Sequence, residues 1–324
     1  MENSFHSQFK FYKKKKGELN LDNVIDFNNL EQNEHYKKEG IKKFICNNSF
    51  PEWEESFGMK KKSDWDAYEI LSKPGLFFIK NPFKFIGQRY WIIRCLEYYT
   101  RKPNKLNIDI HNILTEEDDW WSYCQRNFNT ANGKLVLDKL RWVTFGYHHN
   151  WDTKVYSESS KSSFPEDLNL LCNHFANNFF FEGFNAEAAI VNMYHLNSTL
   201  SGHTDTSELN INAPLFSFSF GQSAIFLIGG KFINDSALPI LVESGDVLIM
   251  SGESRLFYHG VPRILPAMSQ VWNYKNDSDR SINNEHFIKE IVDKLADDVK
   301  WESFNSYINR ARINMNVRQV LLPG

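Results

Sequence analysis

Residues 201–205 read Ser-Gly-His-Thr-Asp, and residues 252–259 read Gly-Glu-Ser-Arg-Leu-Phe-Tyr-His. These two segments contain His203, Asp205 and His259. In an extended chain, side chains two positions apart point to the same face, so His203 and Asp205 can reach one metal ion together. A third ligand then has to come from another strand, which accounts for its distance along the sequence. The pattern predicts one metal site assembled from two parts of a β-fold.

The donor set indicates which metal the site would hold. Two imidazoles and one carboxylate on one face are typical of non-haem Fe(II) oxygenases, which keep the remaining coordination positions open. A His-x-Asp pair is common by itself, however, and His203 could equally lie in a solvent-exposed Gly-Ser loop. The surrounding strand pattern favours the metal site.

Short apolar segments bounded by turn residues surround the three candidate ligands. Residues 214–220 (Pro-Leu-Phe-Ser-Phe-Ser-Phe) alternate with period two, and residues 222–228 and 246–250 are further apolar segments next to glycine. Short strands separated by turns are typical of a β-sandwich or barrel. We therefore predict a double-sheet jelly roll with the metal ligands at strand ends.

Length and composition limit the possible domain number, binding partners and cellular compartment. The chain has 324 residues, enough for one large domain or two small ones, and 42% of them are hydrophobic. Its formal net charge of -3 excludes an overall basic field, so any contact with nucleic acid has to use a local patch. The cysteines at positions 46, 95, 124 and 172 lack zinc or redox spacing and predict reduced thiols of an intracellular protein. No apolar segment reaches 18 residues, and no secretion signal is present, so we expect no membrane span.

The remaining chain shows the periodicities of flanking helices and strands. Pro165 with Glu166 and Asp167 is a favourable helix start, and His174 lies beside the apolar stripe of that helix as a structural histidine. Predicted helices cover residues 88–100, 116–125, 165–179 and 285–296; predicted strands cover 75–80, 140–146 and 312–321; predicted loops cover 128–134 and 267–279.

The first 75 residues are polar and contain two basic runs, Lys13–Lys16 and Lys60–Lys62. Such runs are usually solvated, and contact with phosphate is the alternative. Phe9, Phe11 and Tyr12 lie beside the first run and predict a packing anchor against the core.

Several motifs, in the same order along the chain, resemble those of the AlkB nucleic-acid dioxygenases, and further matches point to the AlkB homologue 1 branch. Together they extend from about residue 9 to residue 322. The core motifs are Asn192-x-Tyr194, His203-x-Asp205, Ser244-Gly245-Asp246-Val247, Gly252-x-Ser254-Arg255 and Arg312-Ile313-Asn314-x-x-x-Arg318; those of the branch include Asn81-Pro82-Phe83, Arg141-Trp142-Val143-Thr144 and Tyr147-His148-His149-Asn150-Trp151-Asp152.

The resemblance implies an α+β fold: a double-stranded β-helix (jelly roll) core with flanking helices and an N-terminal extension. The extension would cover residues 1–75 and the dioxygenase domain residues 76–324. Within that domain the jelly-roll core would span about 186–324 and a substrate-recognition lid about 140–160.

Two arginines on one predicted strand suit a dicarboxylate co-substrate. Arg312 and Arg318 are an even number of positions apart and so share a face, and the planar guanidinium meets a carboxylate through two parallel hydrogen bonds. Alternatively, one of them pairs with an acidic residue of the fold. The resemblance implies that both bind 2-oxoglutarate, with Arg312 favoured for the distal carboxylate, and that Asn192 and Tyr194 hydrogen-bond the same molecule.

The resemblance also implies a lid with two roles. Trp142 and Trp151 would stack on the substrate base, although Trp142 could equally be a core residue. The Tyr-His-x-Asn segment would lie near the co-substrate, so its members Tyr147, His148 and Asn150 are candidate co-substrate contacts. A histidine at residue 149 stands where another aromatic residue would stack better.

The implied activity is oxidative demethylation with Fe(II), 2-oxoglutarate and O₂, releasing formaldehyde, succinate and CO₂. The branch is associated with N6-methyladenine in DNA, N1-methyladenine in tRNA and oxidation of 5-methylcytosine in tRNA. Alternatives are a dioxygenase acting on protein, such as a histone, and an inactive nucleic-acid-binding relative, against which the intact ligand set argues. We further expect a monomer that prefers unpaired or bulged nucleic acid, in the nucleus and/or the mitochondrion.

Overall fold

A computed structural model of the chain describes residues 4–14, 19–30, 34–115, 118–273 and 286–323. Two antiparallel β-sheets form the centre, and helices cover the outer face of the larger sheet. No helix among these residues is both long and apolar enough to cross a bilayer.

The described elements are eight α-helices and thirteen strands. The helices are α1 Phe5–Lys13, α2 Glu34–Glu39, α3 Phe85–Ile93, α4 Trp120–Arg126, α5 Ala131–Lys139, α6 Glu166–Asn178, α7 Lys289–Leu295 and α8 Asp298–Ile308. The strands are β1 Ile41–Lys43, β2 Asp66–Ile70, β3 Leu76–Lys80, β4 Lys105–Leu106, β5 Trp142–Gly146, β6 Ala188–His195, β7 Leu200–His203, β8 Leu215–Gly221, β9 Ser223–Ile228, β10 Leu238–Val242, β11 Val247–Met250, β12 His259–Leu265 and β13 Ala311–Arg318.

Every strand pair in the two sheets is antiparallel. The large sheet has the order β1-β2-β3-β11-β8-β13-β6-β5-β4, and the small sheet has the order β10-β9-β12-β7. One apolar cluster fills the space between the sheets, and a second, larger one lies between the large sheet and the helices α3, α6 and α8. This arrangement confirms the jelly-roll prediction, with its flanking helices.

The period-two pattern of β8 explains how one strand serves both layers. Phe216, Phe218 and Phe220 point into the helix-side core, as alternation along a strand requires. The serines between them face the other sheet, where Ser217 and Ser219 accept hydrogen bonds from side chains of β13. The same alternation therefore provides core packing on one face and polar contacts to the site on the other.

Several predicted elements are confirmed and two are wrong. The helix from residue 165, the strand after residue 140 and the closing strand from residue 312 are present within a few residues of their expected bounds. The expected loop 128–134 instead leads into α5, because the Thr130 side chain accepts a hydrogen bond from the backbone of Gly133 and caps the helix.

The C-terminal part of the chain also differs from the expectation. A single helix over 285–296 was expected, whereas α7 begins at Lys289 and is followed by α8, which Asp297 caps with its side chain. Residues 116, 117, 285 and the last six residues of the predicted loop 267–279 lie outside the described residues.

The segment predicted as an extension contributes to both sheets. The strands β1 and β2 pair with each other and extend the large sheet beyond β3. The helix α1 packs on the small sheet through the predicted anchor, of which Tyr12 is buried and Phe9 and Phe11 are half-buried, and also through the buried ring of Phe5. In the second basic run Lys62 is buried and donates its Nζ to the carbonyl of Asn47. Of the first run, residues 15 and 16 lie outside the described residues, and the domain division at residue 75 stays a prediction.

Candidate metal and co-substrate site

The three predicted ligands converge at one end of the small sheet. His203 ends β7 and His259 begins β12, and the two residues are direct partners in the antiparallel register. Their ring centroids are 4.4 Å apart. Asp205 follows β7, with carboxylate oxygens 3.8 Å from His203 Nε2 and 3.7 Å from His259 Nε2. One ligand atom from each residue lies within 4.8 Å of the others, a spacing that a single ion can bridge.

The backbone orients both imidazoles towards that point. His203 Nδ1 lies 2.9 Å from the carbonyl of Ser201, and His259 Nδ1 lies 3.0 Å from the carbonyl of Phe257. A ring whose Nδ1–H donates to a carbonyl keeps the lone pair on Nε2, the atom that faces Asp205 in both rings. The donor set, its tautomers and its spacing therefore fit Fe(II).

The protonation states also suit a metal. Burial lowers the pKa of His259 to about 4, and the neighbouring imidazole of His203 acts in the same direction. Burial by itself would raise the pKa of Asp205, but the Arg318 guanidinium and the two imidazoles outweigh it and hold that pKa well below its usual range. At neutral pH His259 is thus neutral and Asp205 is ionised, as metal binding requires.

A buried network of charged side chains holds the Asp205 carboxylate in place. Arg318 Nη2 donates to Asp205 Oδ2 at 2.6 Å, and Arg318 Nε lies 3.0 Å from Glu208 Oε1. Glu208 also accepts from Arg255 Nη2 at 2.8 Å, and Arg255 Nη1 donates to the Asp205 carbonyl. Arg255 and Glu208 thus position the ligand loop. Sequence reasoning missed Glu208, because a glutamate in a polar loop gives no sign of burial between two arginines.

The second predicted arginine has a different environment. Arg312 is 3% exposed, and its Nη2 donates to Ser219 Oγ at 2.7 Å. Its Nε and Nη1, and the hydroxyl of the neighbouring Tyr194, form no hydrogen bond with any described residue. Burial lowers the pKa of Arg312 to about 10, so it stays charged at neutral pH. Leaving such buried donors unpaired costs about 1–3 kcal/mol each, which indicates a pocket that receives an anion.

Arg312, Tyr194 and the two histidine ligands line the same small cavity between the sheets, together with Asn314 and Asn316 of β13. A carboxylate at Arg312 would therefore belong to a molecule that extends towards the metal ligands. The residues present fit 2-oxoglutarate, with Arg312 and Tyr194 at its distal end. The alternative that one arginine pairs with acidic residues of the fold applies to Arg318.

A larger cavity of about 790 Å³ opens from the metal ligands to solvent. His203, Asp205, Arg318 and Asn192 line its inner end. At its mouth lies a group of aromatic rings, which we call the aromatic wall: His149, Trp151 and Tyr156. The His149 ring makes edge contacts with Trp151 at 4.7 Å and with Tyr156 at 5.2 Å between centroids.

The two predicted stacking residues differ in position. Trp151 is 43% exposed and belongs to the aromatic wall. Trp142 is half-buried on β5, where its ring packs behind Trp151 at 5.3 Å, and it does not line the cavity itself. Of the pair, Trp151 is therefore the one that a substrate can contact.

The Tyr-His-x-Asn segment is placed differently from the expectation. Tyr147 is buried and bonded to Glu158, the Nδ1 of His148 lies 2.9 Å from Thr144 Oγ1, and Asn150 caps the turn that follows it. None of the three lines either cavity at the metal ligands. Because side chains alternate along this extended segment, His149 and Trp151 face the cavity and their neighbours point away from it. Within the Tyr-His-x-Asn motif, the residue that faces the cavity is therefore His149, at the x position.

Comparison with known proteins agrees with this geometry. Residues 92–318 match the 2OG-Fe(II) oxygenase superfamily, so fold and site define an Fe(II)- and 2-oxoglutarate-dependent dioxygenase. The chain is 38% identical to the human nucleic acid dioxygenase ALKBH1, over 99% of this chain and 84% of that protein. It belongs to the AlkB family, in the homologue 1 branch.

Two further relatives carry more specific names. The DNA N(6)-methyladenine demethylase ALKBH1A of Arabidopsis thaliana is 27% identical over 98% of this chain and 92% of its own length. The tRNA demethylase abh1 of Schizosaccharomyces pombe is 31% identical over 78% of this chain and 82% of its own length. The enzyme accordingly uses Fe(II), 2-oxoglutarate and O₂.

Proposed function

We propose that this enzyme removes methyl groups from the nitrogen atoms of nucleic-acid bases, with methyladenine in DNA or tRNA as the main substrate. Oxidation of the C5-methyl group of 5-methylcytosine in tRNA, without its removal as formaldehyde, is a further proposed reaction. The main support for this proposal is the solvent-open cavity, which has the three metal ligands at its inner end and the aromatic wall at its mouth. The names of the Arabidopsis and fission-yeast relatives support DNA and tRNA respectively.

The shape and chemistry of the cavity suit a base that has left its stack. Aromatic side chains stack on a flipped base whatever its identity, and each such contact contributes about 1–3 kcal/mol. Trp151 is available for this contact, and Lys154 Nζ lies 5.8 Å from the centre of its ring, where it can approach a phosphate. Asn192, which the resemblance makes a co-substrate contact, lines the inner end of this cavity, where its amide offers a polar partner to the edge of the base.

Each part of the site then has a defined task. When bound, iron and 2-oxoglutarate supply the oxidation of a C–H bond by O₂, with succinate and CO₂ as products. Arg312 and Tyr194 would hold a carboxylate of 2-oxoglutarate, and Arg318 fixes the rotation of the Asp205 carboxylate. The aromatic wall covers the mouth of the cavity once a base has entered. A hydroxylated N-methyl carbon is lost as formaldehyde.

The decisive experiment is a survey of modified nucleosides by mass spectrometry, in DNA and in tRNA treated with the iron-loaded enzyme or with buffer. Loss of a methyladenosine with matched release of formaldehyde and succinate is expected. Succinate release that depends on methylated histone peptides and is unaffected by any nucleic acid would contradict the proposal and support the protein-directed alternative.

We expect a preference for methyladenine in unpaired positions. Extracting a paired base costs a few kcal/mol, and this cost is smaller for a mismatched or single-stranded base. The net charge of -3 provides no overall basic field to offset it on long duplexes. Formaldehyde release should therefore be fastest from single-stranded or bulged oligonucleotides and slowest from the same sequence fully paired. Equal or faster turnover of the paired form would refute the argument from flipping cost.

Trp151→Ala should raise the KM for a methylated oligonucleotide by about tenfold, because one stacking contact of about 1–3 kcal/mol is lost. Trp53→Ala is the matched control, since Trp53 is 44% exposed and lies outside the cavity. Trp142→Ala should act mainly on thermal stability, because its ring supports Trp151 from behind. If Trp151→Ala and Trp53→Ala have the same KM, the aromatic wall does not contact the base.

We also propose that the enzyme is a monomer located in the nucleus and/or the mitochondrion. Support comes from the composition and the character of the substrates proposed above. Light scattering of the purified protein and imaging of a C-terminal fluorescent fusion test the two statements separately.

A further inference from the structure

A second cleft lies beside the substrate cavity, at the C-terminal end of α1. It has a volume of about 370 Å³ and runs between α1, the turn from β6 to β7 and the strand β12. Lys13 and Arg263 line it together with Asn197, Ser198 and Thr199, and no aspartate or glutamate is among its lining residues. Thr199 lines this cleft and the substrate cavity alike, so the two are neighbours.

Cations gather at the cleft without acidic partners among the described residues. In the part of the chain that the structure describes, neither Lys13 nor Arg263 forms an ion pair with a carboxylate; Lys13 Nζ lies 5.8 Å from the centre of the Phe9 ring, and Arg263 Nη1 donates to the carbonyl of Lys14. Arg141 is a third cation at the edge, where its Nη1 donates to Ser198 Oγ at 2.9 Å. Positive charge collected here, in a chain of net charge -3, indicates an anionic partner.

Packing fixes the cleft relative to the metal ligands. The ring of Phe5 at the start of α1 lies so close to β7 that a Cβ on Gly202 would be 2.3 Å from it, and Gly202 directly precedes His203. On the other side, Arg263 lies four residues after His259 on β12. Four residues of strand span about 13 Å, roughly the length of four stacked nucleotides at about 3.4 Å each.

From this geometry we infer that the cleft binds the sugar–phosphate backbone of the substrate strand a few nucleotides from the base that enters the cavity. Lys13, Arg141 and Arg263 are the phosphate contacts, and Asn197 and Ser198 add neutral donors. The inference rests on the proposed function for its occupant. The inference goes beyond the proposed function because it names a surface outside the cavity that sets the affinity for a polynucleotide.

The direct test is binding of a fluorescent, unmethylated single-stranded oligonucleotide, measured by anisotropy at several salt concentrations. Charge reversal by Arg263→Glu and by Lys13→Glu should each raise Kd about tenfold or more, and each should reduce the slope of log Kd against log salt by about one, because each removes one phosphate contact. Lys42→Glu is the control, since Lys42 is an exposed lysine of β1 at the far edge of the large sheet. It changes net charge by the same amount and should leave Kd and slope close to wild type.

A length series gives a second readout. With methylated substrates, wild-type enzyme should show a lower KM for a twelve-nucleotide strand than for a trinucleotide, and Arg263→Gln, which keeps a hydrogen-bond donor to the Lys14 carbonyl, should reduce that difference. The inference is overturned if Arg263→Glu and Lys42→Glu have equal Kd and equal slope, or if wild type does not bind single strands. Binding through the cleft without any demethylation would instead contradict the proposed function alone.

Discussion

Replacement of Asp205 by alanine is expected to abolish 2-oxoglutarate turnover. Asp205 is the one anionic member of the ligand set, and its removal leaves two neutral imidazoles. Loss of an outer partner of a metal ligand alone costs about 10–100-fold in affinity or activity, so loss of the ligand itself should exceed about 100-fold. Succinate production measured by mass spectrometry should fall below about 1% of wild type, and the iron retained after desalting should fall with it.

The fold should survive this substitution. Arg318, which donates to Asp205 in the wild type, still has Glu208 as a carboxylate partner at 3.0 Å. The melting temperature should therefore stay within a few degrees of wild type. Asp66→Ala is the control, because its carboxylate is exposed and its one ion pair among the described residues is with the exposed Lys43, a type of pair that contributes about 0–1 kcal/mol. Near-normal turnover in Asp205→Ala would show that the metal lies elsewhere.

Substitution of Arg312 should weaken 2-oxoglutarate binding without weakening the fold. A charge-assisted hydrogen bond contributes about 1.5–3 kcal/mol, and about 1.4 kcal/mol corresponds to a factor of ten. Arg312→Lys keeps the charge but loses the planar fork, so the KM for 2-oxoglutarate should rise about tenfold. Arg312→Met loses both and should raise it by about 100-fold or more, as measured by succinate release against 2-oxoglutarate concentration.

The melting temperature of the Arg312 variants distinguishes a role in 2-oxoglutarate binding from a structural role. Two nitrogens of Arg312 have no partner among the described residues, so replacing this buried cation with an apolar side chain should leave the melting temperature unchanged or higher. Arg318→Lys is the informative comparison, because Arg318 already pairs with Asp205 and Glu208; it should reduce iron retention more than it changes the KM. Arg101→Met removes an exposed cation whose partner Glu97 also pairs with Lys294, and it should change neither iron retention nor the KM. An unchanged KM in both Arg312 variants would move the dicarboxylate site elsewhere.

Much of this site was predictable because its spacing rules are local. His203 and Asp205 share a face, and so do Asn192 and Tyr194, since side chains two apart in extended chain point the same way. The alternating Phe and Ser residues of β8 likewise predict a strand with one apolar and one polar face. Helix caps were harder to predict: the Thr130 hydroxyl and the Asp297 carboxylate begin α5 and α8, which apolar periodicity alone did not indicate.

The sequence by itself determined the ligand set, the jelly-roll class and a pair of arginines suited to a dicarboxylate, because each depends on residue type and on periodicity over a few positions. The family resemblance favoured Arg312 over Arg318 for the distal carboxylate, but their spacing makes the two arginines equivalent, and the physical difference between them lies in the tertiary structure. That difference depends on Glu208 and Asp205, more than 100 positions before Arg318, and on which side chains remain unpaired. The tertiary structure also determines that α1 lies beside β7 and that His149, rather than His148, faces the cavity. Contacts between distant segments follow from how the two sheets pack, and short-range periodicity contains no information about that packing.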